Sequence, residues 1–107
     1  MHFNLVNTTN DTLDYSVGDS GPAVRFYIYK NGIQIASSTD GLGFLAVMMY
    51  YKLAPEDTLK GLWLAPTAPI LSSHNILASG RYKARAVFPE FVELQTDTIS
   101  DIIFIVE

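Results

Sequence analysis

The sequence contains no cysteine. Disulfide frameworks, zinc–thiolate centres and thiol nucleophiles are therefore excluded. Histidine is almost as scarce: His2 sits near the start and His74 in a Ser-Ser-His-Asn stretch, so a nucleophile has few imidazole bases to pair with. No H-x-x-x-H, H-E-x-x-H or EF-hand spacing occurs. The pairs Asp11/Asp14 and Glu56/Asp57 supply too few ligands for a cation, and Asp97/Asp101 read as loop and strand-edge charges. Gly18-Asp19-Ser20-Gly21-Pro22 has two glycines but neither a lysine nor a following helix, so it reads as a turn and not as a phosphate cradle. The expectation is a protein without enzyme activity, metal or cofactor.

Positive charge is also sparse. Seven Lys/Arg against eleven Asp/Glu leave a net charge of −4, the wrong sign for a protein that binds nucleic acid or an anionic membrane. The longest nearly apolar run, 42–54, contains Lys52 and falls short of the about 20 residues of a membrane-crossing helix. The opening Met1-His2-Phe3-Asn4-Leu5 lacks a basic segment followed by an apolar one, so the expected location is cytoplasmic, or secreted if a signal peptide was removed.

What is present is apolar mass, 49% of 107 residues, enough for a single packed domain over 1–107 that needs no metal or disulfide. It comes in short runs separated by turn residues, the pattern of an antiparallel sandwich or barrel. Strands are expected at 3–7, 12–17, 23–30, 33–38, 44–53, 58–65 and 81–88, with two further pieces at 91–95 and 101–106. Asn31-Gly32 readily takes the positive φ pair of a type I′ turn and predicts a hairpin. Alternation places Val24, Phe26 and Ile28 on one face of their strand, and Tyr82, Ala84, Ala86 and Phe88 on one face of another. The small alanines leave room for a large neighbour, for which Trp63 is the candidate. Residues 44–53 carry apolar side chains on every face; their aromatic and branched content favours a strand, with a helix as the alternative. The final piece, 101–106, is apolar on both faces, and such a strand is either central or an edge that needs a partner chain.

Two segments carry candidate binding chemistry. Arg81, Lys83 and Arg85 form a basic comb that either meets an anionic partner or, more simply, is a solvated strand face opposite acidic neighbours. The segment 66–79 exceeds the usual connection between strands, and Pro66 and Pro69 hold its first half extended. A crossover between sheets is the simpler account of it. The sharper one is a protein-binding loop of Pro69, Ile70, Leu71 and Ser72 that enters a protease cleft as an added strand, with Leu71 in the primary specificity pocket.

Several short motifs, in order over about residues 3–88, give a family resemblance. They are Asn7-Thr8-Thr9-Asn10, Arg25-Phe26-Tyr27-Ile28-Tyr29, Asn31-Gly32, Gly43-Phe44, the turn Leu53-Ala54-Pro55-Glu56-Asp57, Trp63, and Ser79-Gly80-Arg81-Tyr82. Together they resemble the intracellular proteinase inhibitors of the BsuPI type. The family's Pro-Gly is Pro55-Glu56 here, and its Pro before the glycine is Ser79. The resemblance implies an all-β, immunoglobulin-like antiparallel β-sandwich of seven to nine strands and inhibition of subtilisin-like serine proteases. Trp63 and Tyr82 are the structural residues of that reading, and Tyr82 is the candidate for a tyrosine corner that hydrogen-bonds back to the backbone. The expected core is Phe26, Ile28, Trp63, Tyr82, Ala84, Ala86 and Phe104. The expected partner is a serine protease or another protein. The alternative function is a structural or protein–protein interaction module, an immunoglobulin-like accessory domain or assembly subunit without inhibitory activity, and a homo-oligomer through sheet edges is the alternative partner state.

Overall fold

The computed structural model describes residues 1–40, 42–63, 78–92 and 98–106. Among these the protein is all-β, with antiparallel pairing throughout and no helix. The strands are β1 (His2–Val6), β2 (Leu13–Val17), β3 (Arg25–Lys30), β4 (Ile33–Ser37), β5 (Met49–Leu53), β6 (Thr58–Leu62), β7 (Gly80–Val87) and β8 (Ile99–Val106). Four of them make one sheet in the order β4-β3-β7-β8, and the others pair as β1-β6 and β2-β5. These two pairs continue one another in nearly the same register, since His2 faces Leu62 and Val6 faces Thr58, then Leu13 faces Leu53 and Val17 faces Met49. They are the halves of one long ribbon, interrupted at 7–12 on one strand and at 54–57 on the other.

Asn7 holds the interruption together. Its N–H donates to Asp57 O (2.9 Å) and its carbonyl accepts from Glu56 N (2.8 Å). Its side-chain amide donates to Leu53 O (2.9 Å) and Asp11 O (2.8 Å), while Oδ1 accepts from the Thr9 N–H and hydroxyl. Only 2% of Asn7 is exposed, and a polar side chain is tolerated at that depth because its donors and acceptor are all used. On the other strand, Asp57 N–H closes onto Ala54 O (3.1 Å) with Pro55 and Glu56 between them. Glu56 there has φ 68°, in the third position of a β-turn, where glycine is the unstrained choice.

Ribbon and sheet face each other as the two layers of a sandwich. Leu13, Tyr15, Leu53 and Leu59 from the ribbon pack with Val24, Phe26, Ala86 and Phe88 from the sheet, and Phe91 closes the same cluster. The layers approach closely at Gly61, where an added Cβ would stand 2.5 Å from Val24 Cγ1. Past β7, Phe91 forms a single antiparallel bridge to Tyr15, and Val92 N–H donates to Asp14 O (3.0 Å), which ties the chain back to the ribbon. Ile28, Ala36 and Tyr82 form a second cluster, and half-buried Trp63 packs against both, stacked on Phe26 at 6.4 Å between ring centroids. The Tyr82 hydroxyl donates to Ala78 O (2.6 Å), and its ring stacks on Phe104.

The hairpin at Asn31-Gly32 has φ 51° and 78°, and the alternation expected for β3 and β7 is present. The strand expected over 44–53 is shorter. It pairs with β2 only from Met49, while 42–48 runs along the surface without regular pairing, and no helix forms there. Trp63 and Phe104 are half-buried, so the centre of the core is instead Phe26, Ile28, Tyr82, Leu13 and Phe91. Of the piece expected at 91–95, the described part shows the Phe91 bridge and the Val92 bond to Asp14, and residues 93–97 lie outside the described residues.

Two substitutions check this geometry. Glu56→Gly relieves the positive φ and should raise stability by about 0.5–1 kcal/mol in a denaturant titration. Tyr82→Phe removes the bond to Ala78 O and should lower stability by about 1 kcal/mol, and an unchanged midpoint would show that the corner bond contributes nothing.

Candidate functional site

Pro69, Ile70, Leu71 and Ser72 lie outside the described residues, as does His74. Trp63 and Tyr82 serve the core. His2 is exposed on β1, and among the described residues no three His, Cys, Asp or Glu side chains gather closely enough to hold a metal ion.

The basic comb is largely engaged within its own sheet. Arg85 faces Asp101 across the β7–β8 ladder and makes two bonds to its carboxylate, at 2.8 and 3.1 Å. Lys83 Nζ and the Arg85 guanidinium both lie over the Tyr29 ring, at 5.0 and 5.2 Å from its centroid. The hydrogen bond from Arg85 holds the Asp101 carboxyl below the usual carboxylate range, against a smaller opposing effect of burial, and Asp101 in turn raises the Arg85 pKa. A second pair sits in the 18–22 turn. Arg25 donates to Asp19 Oδ1, which also accepts from Gly21 N–H, and the guanidinium lies 5.3 Å from the Phe44 ring centroid. Those two hydrogen bonds, Arg25 first, lower the Asp19 pKa.

Among the described residues the fold leaves apolar surface unused at several places, 42–48 among them, and two of these lie on paired strands. The first is β8. It is the longest edge of the four-stranded sheet, pairs with β7 along all eight residues without a bulge, and has no second neighbour among the described strands. Ile103 and Ile105 project from the outer face, 54% and 70% exposed. Ile102 is on the inner face, opposite Ala84, yet 66% exposed, at a cavity of about 160 Å³ that it lines with Met1, Phe3 and Ala84. The other edge, β4, also exposes Ile33 and Ile35, but it has five residues and its register slips between Ile28 and Tyr29, which twists an edge away from new pairing. The second place is a trough of about 670 Å³ beside β2 and β5. Tyr15 and Tyr51 stack in it at 5.3 Å, and Tyr50 and Val92 stand 79% and 81% exposed at its rim. Burial raises the Tyr15 pKa, and neighbouring Tyr51 adds to it.

The two-faced apolar character of 101–106 was visible in the sequence. The trough was not, because it depends on Phe91 carrying the chain back to Tyr15, a long-range contact that no local pattern signals. No family model matches the chain, and no curated protein sequence matches it.

The ion pairs set an acid limb of stability. A carboxylate whose pKa is depressed by folding stabilises the fold above its unfolded value, and that contribution is lost as pH falls through the folded value. The melting temperature should therefore be flat above about pH 5 and fall below about pH 4. Asp19→Asn and Asp101→Asn should each make that fall shallower in thermal melts followed by circular dichroism. Acid limbs that superimpose on the parent's would remove both pairs from the account.

Proposed function

We propose that the chain is a non-catalytic protein-binding domain, an immunoglobulin-like sandwich that contacts its partners through sheet edges. The observation that carries the reading is β8, an eight-residue edge on which Ile102, Ile103 and Ile105 remain more than half exposed. Isoleucine is among the residues most often buried, so a row of them on an open edge is surface reserved for contact or a liability to be hidden.

The BsuPI resemblance is a finer form of the same reading. The positive φ of Glu56, where that family has glycine, and the bond from Tyr82 to Ala78 O support kinship of fold. Inhibition of a subtilisin-like protease through Pro69, Ile70, Leu71 and Ser72 rests on the sequence of that segment.

One pair of substitutions separates the modes. Ile105→Lys in dilute solution should change stability by less than about 0.5 kcal/mol and reduce binding of the dye anilinonaphthalene sulfonate, because the side chain serves contact and not the fold. A loss above about 2 kcal/mol would assign the isoleucine to the chain's own core and end the edge reading. Subtilisin titrated with a stoichiometric excess of the chain should keep its activity. Tight inhibition that Leu71→Asp abolishes would move the function to the 66–79 segment.

A further inference from the structure

We infer that the occupant of the β8 edge is a second copy of this chain, its β8 antiparallel to the first about a two-fold axis normal to the sheet. The inference rests on the edge-binding reading above and names the partner. Three features of the edge point to its own copy.

The first is the placement of charge. β8 carries one charged residue, Asp101, off-centre in the strand and held by Arg85 of the same sheet. A two-fold axis normal to the sheet keeps inner faces with inner faces, so residues of like parity stand opposite one another. With Ile102 or Ile103 opposite its own copy, Asp101 meets an isoleucine of the other copy instead of its carboxylate. The register that would set Asp101 against Asp101 is disfavoured by like-charge repulsion. The alternation of the strand thus selects a central pairing with apolar rows on both faces.

The second feature is area. The exposed isoleucines of β8 offer on the order of 400 Å² per copy, about half of what each partner gives a standard interface. That is too little for an obligate dimer and fits a reversible one. A second β8 supplies a row of equal length and matching chemistry, and the backbone groups of the open edge then pair on both sides.

The third is the missing protection. β8 has no lysine, proline, glycine or bulge along its length, whereas β4 at the other side of the sheet is short and irregular. Among the described residues the sheet is therefore guarded at one edge and open at the other.

Sedimentation velocity on the full chain from about 1 to 100 µM is the test, the range expected for a contact of this size. A monomer–dimer shift is expected, and because each copy carries −4 it should strengthen as salt screens the repulsion. Ile105→Lys should weaken the dimer about tenfold or more, since the substitution counts twice across the axis, while Val92→Lys in the distant trough should leave it intact. The chain has no cysteine of its own, so Ile102→Cys and Ile103→Cys report the register. One of the two should lock as a disulfide-linked dimer on oxidation, since Cβ atoms directly opposite lie within reach of a disulfide. A chain that stays monomeric at 100 µM with Ile105→Lys fully stable would overturn the second copy while leaving the edge free for another protein. A dimer that Val92→Lys breaks and Ile105→Lys does not would overturn the edge as its site.

Discussion

The sandwich depends on keeping one phase of alternation through a broken ribbon. Phe3 and Leu5 before the break, and Leu13 and Tyr15 after it, all point to the same layer, as do Leu53, Leu59 and Trp63 on the facing strand. The interruption preserves this because 7–12 and 54–57 each contain an even number of residues; a one-residue slip would turn every later side chain from the core to solvent. Asn7 occupies the next inward position after Leu5, which explains a buried amide where an aliphatic side chain would be expected. Its side chain replaces the ladder that the break removes, bonding to Leu53 on one side and to the 9–11 turn on the other. The Asn-Thr-Thr motif at 7–9 therefore reads as a structural staple, with its amide nitrogen committed inside the protein.

Part of this was legible in the chain. Asn31-Gly32 specified its hairpin through local φ preference, and the alternations around Phe26 and Ala84 specified which faces are buried, because each signal is complete within a few residues. Leu13, Tyr15, Leu53, Leu59 and Phe91 are buried without any such local signal. They belong to five-residue strands or a single bridge, too short for a period to declare itself, and their burial is set by partners far along the chain. The 42–48 stretch is the opposite case. Its composition suits a strand, yet none of the described strands offers it a ladder, and apolar side chains such as Leu45 and Met48 stay at the surface. Composition reports the capacity to pair, and topology decides whether pairing occurs.

The same distinction separates chemistry from surface at the candidate site. The comb of Arg81, Lys83 and Arg85 suggests an anion site in sequence, but Arg85 is spent on Asp101 and, with Lys83, on the Tyr29 ring. The apolar 101–106 segment suggests either centre or edge, and only the strand order decides between them.

The Arg85–Asp101 pair has a further consequence for β8. An edge strand presents a row of unpaired backbone groups, and the ties to its one neighbour hold that row in place. The ion pair ties the N-terminal half of β8 to β7, and the Tyr82–Phe104 stack ties the C-terminal half. Both halves of β8 are therefore held from the β7 side, by charge at Asp101 and by ring contact at Phe104. A neighbour arriving on the other side would meet isoleucines and a backbone already fixed in extended form.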